Sequence, residues 1–345
     1  MMRRLPLIIA LLTAASGVQA AKTVAPAPPP PVVAPPAPPA PAPAPETPAL
    51  TPSIVVPPPA VTPAETTSRD VDAAYGAYQR GFYRTALEDA QKRLAAEPNH
   101  AASLTLLGQL YTEGVVVKRD LKRASDYFRR AAALGDANAS FALGVNLLEG
   151  HGVAVDRKEA RKMFEAAAAK NHPGALYNLG VMTIESQAAP DFPKAVSYFR
   201  RAADAGSADA AYSLGILYRQ GRGVGQDDAE AVTWFKRAAD DGNVPAMIEY
   251  AIMAFNGQGM KADEAVAARY FLRAAQKNNP VAQNRAARLL VAGRGIGVDL
   301  VEGMKWHLLA RAAGVGDAWL DGRLATLTTA QRTSVEEAVR RYNGM

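Results

Sequence analysis

From residue 101 to residue 316 the chain alternates two amphipathic patterns at a fixed period. The unit at 208–242, ADAAYSLGILYRQGRGVGQDDAEAVTWFKRAADDG, shows the layout clearly. A first apolar run carries Leu214-Gly215 in its middle and stops at Gly221, Asp227 opens a second run, and Gly242 ends it. The Leu-Gly step recurs every 35 or 36 residues, at Leu107-Gly108, Leu143-Gly144 and Leu179-Gly180, and decays to Tyr250-Ala251 and Ala286-Ala287. A self-similar period of this length is the signature of stacked helix pairs, each too small to bury its apolar face alone. The expected fold is all-α: an α/α superhelical solenoid of about six 35–36-residue helix-pair repeats, closed by capping helices.

The second run of each unit fits one helix face. Ala160, Met163, Phe164, Ala167 and Ala168 occupy i, i+3, i+4, i+7 and i+8. Matching aromatic steps stand at Tyr127-Phe128, Tyr198-Phe199, Trp234-Phe235, Tyr270-Phe271 and Trp306-His307, a stripe that reads as core and not as a cofactor box. Glycine inside a helix costs up to about 1 kcal/mol relative to alanine, so its recurrence at one register predicts a close approach by another helix.

Asp120, Asp156, Asp191, Asp227, Asp263 and Asp299 each precede a second helix. A carboxylate there accepts free backbone amides and meets the positive end of the helix dipole, so these six read as caps and not as a metal array. Glu159, Glu230 and Glu302 stand three residues on and are placed to complete capping boxes. Gly114, Gly150, Gly221, Gly257 and Gly293 are expected to stop first helices; Gly135, Asn171, Gly206, Gly242, Asn278 and Gly314 are expected to stop second ones. The third unit is one residue short and lacks the Gly-x-Gly turn, making Ser186 to Pro190 the irregular joint of the array.

Composition divides the chain before residue 69. Of 25 prolines, eighteen lie between Pro26 and Pro63. Residues 21–68 therefore read as a disordered, semi-rigid polyproline II tether: a spacer for the folded part, or a low-complexity leader with no ligand of its own. Residues 1–20, MMRRLPLIIALLTAASGVQA, combine Arg3 and Arg4, an apolar core over residues 5–12 and a small-residue end, the pattern of a signal peptide cleaved after Ala20. The apolar run is far shorter than the ~20 residues of a membrane span, so no transmembrane segment is expected in the mature chain. Export is expected, to the periplasm first and to the medium second. The chain has no Cys, which removes disulfides, thiol chemistry and a lipoprotein anchor.

Catalytic chemistry finds no constellation. His100, His151, His172 and His307 show no ligand spacing, and no Ser or Thr stands in a nucleophile motif, so no catalytic residue, metal site or cofactor is expected. Gly221-Arg222-Gly223-Val224-Gly225 resembles a phosphate loop, but no strand pattern precedes it and a turn between helices accounts for the glycines. The net charge of +6 hides segmentation, with a basic group at Lys118, Arg119, Lys122, Arg123, Arg129 and Arg130. Interleaved acids make nucleic acid a poor partner; the basic group is a solvated face, or a site for an acidic partner or anionic cell-wall polymer.

The string from Gly135 to Gly144, followed by Glu149-Gly150-His151-Gly152-Val153 and Asp156, resembles a Sel1-like repeat, the longer-period relative of the tetratricopeptide repeat. Residues 101–316 carry six such units. Gly81, Tyr83, Ala86, Ala95 and Pro98 resemble tetratricopeptide landmarks, making residues 69–100 an N-terminal helix pair, and residues 317–345 hold a C-terminal capping helix over Thr329 to Tyr342. The resemblance implies a non-enzymatic scaffold that holds protein partners on the inner curve formed by the first helices, in the cell envelope. By register, Phe141, Tyr177, Tyr212 and Ile248 form one row of that face, or else core between adjacent helices. Gln109, Val145, Val181, Ile216, Ile252 and Arg288 form the next row, with Arg219 at its edge; the pattern degrades at His307 and Arg311. The alternative from another class is a cell-wall binding protein or an envelope enzyme.

Overall fold

The computed structural model describes residues 72–185 and 189–344, and every regular element among them is an α-helix. The expected signal segment, the Pro-rich tether and Ser186, Gln187 and Ala188 of the irregular joint lie outside the described residues. A short pair, α1 (Asp72–Gln79) and α2 (Tyr83–Ala96), comes first. Three pairs follow: α3 (Ala101–Glu113) with α4 (Leu121–Ala133), α5 (Ala137–Glu149) with α6 (Arg157–Ala168), and α7 (Pro173–Ile184) with α8 (Phe192–Asp204). Three more are α9 (Ala208–Gln220) with α10 (Asp228–Asp240), α11 (Val244–Asn256) with α12 (Glu264–Gln276), and α13 (Pro280–Ala292) with α14 (Leu300–Ala312). The chain ends in α15 (Ala318–Ala325) and α16 (Thr329–Tyr342), two helices where the sequence pointed to one. Each first helix packs on its own second helix and on the second helix of the pair before it, and α16 rather than α15 carries most of the closing contact with α14.

The Leu-Gly step is explained by an aromatic ring. A Cβ at Gly108, Gly144, Gly180 or Gly215 would stand 2.6–2.7 Å from the nearest ring carbon of Phe128, Phe164, Phe199 or Phe235 respectively. Those rings belong to the second helix of the same pair and are buried. The missing side chain is what lets the two helices close to the density of a protein interior. In the sixth pair the ring position is taken by His307, fully buried, opposite a register that carries Ala287.

All six Asp caps accept backbone N–H groups at the start of their helices. The capping boxes anticipated from the sequence do not close. Glu159 turns to Lys162 and Glu302 to Lys305, and these helices receive only the Asp half of the motif. The reciprocal box among the described residues belongs to Thr328 and Gln331 at α16. Five first helices end in left-handed glycine, while α7 ends at Glu185 with φ −80 and no glycine. Second helices end as expected, including the two non-glycine stops at Asn171 (φ 56) and Asn278 (φ 60).

The second glycine of each Gly-x-Gly has a separate purpose. A Cβ on Gly152, Gly223, Gly259 or Gly295 would fall 2.1–2.5 Å from backbone atoms of Leu121, Phe192, Asp228 or Glu264, at the start of the preceding second helix. These loops are therefore joints between repeats as well as turns within one. The first repeat has Val116 at this position, where the preceding pair is the differently built α1–α2.

Candidate interaction face

Positions five, nine and twelve of the first helices lie on one face, being separated by four and three residues. Val181 and Ile184 on α7, Tyr212 on α9, and Ile248, Ile252 and Phe255 on α11 sit there partly exposed. Together they make an apolar strip across the third, fourth and fifth repeats.

Four of the residues expected on this face are core instead: Phe141, Val145, Tyr177 and Ile216 are buried. The next repeat closes over the first of these. The Phe141 ring stacks on the His172 imidazole at 4.5 Å, and a Cβ on Gly174 would stand 2.8 Å from it. Tyr177 is buried as it leans on the Phe199 ring at 5.6 Å, whereas Tyr212 at the same register stays partly exposed. Gln109, Val181, Tyr212, Arg219 and Ile248 remain partly exposed, but three of these five are already engaged, Tyr212 with the Phe235 ring at 5.8 Å. Gln109 donates to the Tyr78 hydroxyl at 2.7 Å and to Glu113 at 3.1 Å. Arg219 donates to Glu249 at 2.6 Å, and its guanidinium lies 5.3 Å from the Phe235 ring centre.

The polar groups here run from repeat to repeat. Asn243, the cap of α11, also donates to Asp209 on α9 at 2.8 Å. Burial raises the Asp209 carboxyl above its ordinary value, with the Asn243 hydrogen bond opposing. Burial pushes the Tyr177 phenol up to about 12, helped by the Asp209 charge, and the Tyr212 phenol likewise, helped by Glu249. Both phenols are neutral at physiological pH and are not placed to act as bases. At the far end Arg288 and Asn284 both donate to Asp317, tying α15 to α13. Arg288 thus holds the terminal cap in place.

Sequence reasoning missed three groups of residues. His100 and His172 cap α3 and α7 through Nδ1, the position filled by Asp, Ser or Asn elsewhere. Glu249 stands at a register occupied by Leu, Ala, Asn, Ser and Arg in the other repeats, and its partner lies 30 residues earlier. Arg130, Arg201, Arg237 and Arg273 reach back to the carbonyls of Pro98, Ala168, Ala203 and Ala239 at the end of the preceding second helix or, for Pro98, just beyond it. The regular spacing of these arginines after the buried ring was the available signal.

Among the described residues, no group of three or more His, Asp or Glu is arranged to hold a metal ion, and no helix is long and apolar enough to cross a membrane.

The model of the Sel1 repeat matches residues 101–136, 137–172, 173–207, 208–243, 244–279 and 280–315, the six full pairs described above. No curated protein matches the chain. Among solved structures, a Sel1 repeat protein from Oxalobacter formigenes is 30% identical with a TM-score of 0.64, covering 70% of this chain and 99% of its own. A protein described as c5321, a protective antigen present in uropathogenic Escherichia coli strains displaying an SLR fold, is 28% identical with a TM-score of 0.63. That match covers 74% of this chain and 57% of the antigen, so this chain spans little more than half of that relative. With six matched repeats over well more than half its length, the chain belongs to the Sel1 repeat family, whose helical arrays generally serve as scaffolds for protein–protein interaction.

Proposed function

We propose that this protein is an exported scaffold that holds a protein partner against the first-helix face of its third to fifth repeats, within the cell envelope. The observation that carries the reading is the strip Val181, Ile184, Tyr212, Ile248, Ile252 and Phe255: partly exposed, apolar, on three successive first helices. Its neighbours Arg219 and Glu249 are paired with each other, so the strip is held at fixed geometry before any partner arrives, which lowers the ordering cost of binding. Exposed apolar residues gathered on one face mark binding sites more often than scattered ones do. The export signal read in residues 1–20 supports the location.

The test is a paired substitution, Tyr212→Ala with Ile248→Ala, in the full chain. Loss of the co-purifying envelope partner with an unchanged helical spectrum and a still cooperative, modestly lowered melting transition is the expected result. Retention of the partner removes this face as the binding site.

A further inference from the structure

A second surface stands apart from the strip. The loop between α3 and α4 exposes Val115 (48%) and Val116 (36%), and the loop between α5 and α6 exposes Val155 (66%). The two loops meet. Gly152 packs against the backbone of Leu121 and Lys122, and the Ser125 hydroxyl donates to the His151 carbonyl at 2.9 Å. Around the valines stand the exposed side chains of Lys118, Arg119, Lys122, Arg123, Arg157 and Lys158. Three acids, Asp120, Asp156 and Glu159, fall in the same stretches: the two Asp are occupied with backbone amides as helix caps and Glu159 is paired with Lys162. Arg157 also pairs with Glu185, while no ion pair joins Lys118, Arg119, Lys122, Arg123 or Lys158 to a described acid.

The equivalent edge further along the array is different. In the fourth and fifth repeats the position of Val155 is taken by Gln226 and Ala262, and each loop carries one basic residue, Arg222 or Lys261, before acids. In the sixth, Val298 is exposed, but its neighbour Arg294 is paired with Glu264. Among the described residues of these within-repeat loops, exposed valines and a surplus of cations coincide at the edge of the first two repeats.

We infer that this edge is a docking surface for an anionic lipid bilayer: the loop valines enter the headgroup region while Lys118, Arg119, Lys122, Arg123 and Lys158 face the lipid phosphates. The combination favours a membrane over a dissolved polyanion, because basic side chains suffice for the latter while the valines gain only from an apolar phase. The first-helix strip is a separate surface, so this docking stands or falls independently of partner binding.

The experiment is sedimentation of the full chain with vesicles of phosphatidylcholine alone and of phosphatidylcholine with phosphatidylglycerol, in 0.15 M salt, beside a heparin-binding arm. Any contribution of the N-terminal apolar residues is common to all variants and cancels in the comparison. The wild-type chain is expected to partition more strongly onto the anionic vesicles. The double variant Lys118→Glu with Arg119→Glu should lower that partition by about tenfold or more. The triple variant Val115→Ser, Val116→Ser, Val155→Ser should lower it roughly three- to tenfold while leaving heparin binding unchanged. Val298→Ser is the matched control and should bind as the wild type does. Equal partition onto both vesicles, no partition, or insensitivity to the valine substitutions each overturns the proposal; the last shows attraction by charge alone.

Discussion

Gly144 illustrates how single residues set this fold. Its missing Cβ is the space that the Phe164 ring fills, at 2.7 Å from where that carbon would stand. Gly144→Ala gains helix propensity of ~1 kcal/mol but overpacks a buried ring, which costs about 1–3 kcal/mol. A net loss in urea titration is expected, recovered in part when Phe164→Leu is added. Sequence alone indicated a close approach at this register but not which side chain makes it, because apposition across 20 residues is fixed by packing and not by local pattern. His172 is a second case. It caps α7 through Nδ1 and stacks on Phe141, and burial lowers its pKa from 6.5 to about 4. A neutral imidazole in the fold and a more basic one in the unfolded chain means that protons bind preferentially to the unfolded state between those values. Stability attributable to His172 is complete above pH 6.5 and falls as pH drops toward 4, by roughly 2–4 kcal/mol. His172→Asn keeps an acceptor at the cap, as Asn243 and Asn279 do, and should flatten the pH dependence of the melting temperature across that window. An unchanged slope would show that His172 is not the responsible group.

At the scale of the element, most boundaries were readable because caps depend on the chemistry of single residues. Gly and Asn reach positive φ at low cost, and Asp accepts backbone amides, so both kinds of end could be placed from the sequence. The capping boxes were not readable in the same way, since Glu159 and Glu302 had lysines three residues on to choose instead. Asp227→Ala should therefore cost about 1 kcal/mol, whereas Glu230→Ala, whose backbone N–H is the group that meets Asp227, should cost less than about 0.5 kcal/mol. Chemical denaturation of the two single variants distinguishes them. The Gly-x-Gly turns were legible as turns but not as joints between repeats. Gly152 combines φ +70 with backbone atoms 2.2 Å from a would-be Cβ, so Gly152→Ala should loosen the contact between first and second repeats. Hydrogen exchange at the start of α4 is the measurement, with faster exchange expected there than in α12.

For the whole molecule, the period gave the architecture and the helix-pair count, while the interaction face was only half legible. A first helix in this array touches its own second helix, the previous one and, through residues such as His172 and Gly174, part of the next repeat. Register could say which side Phe141 and Tyr177 face but not how much of that side the following repeat covers. What stays partly open is the strip from Val181 to Phe255, and the account rests on it. A photo-crosslinking amino acid placed at Tyr212, and in a parallel strain at the exposed Thr233 on α10, tests it most directly in intact cells. The account predicts one discrete protein adduct from position 212 and none from position 233. No adduct from 212, or the same adducts from both positions, would contradict it.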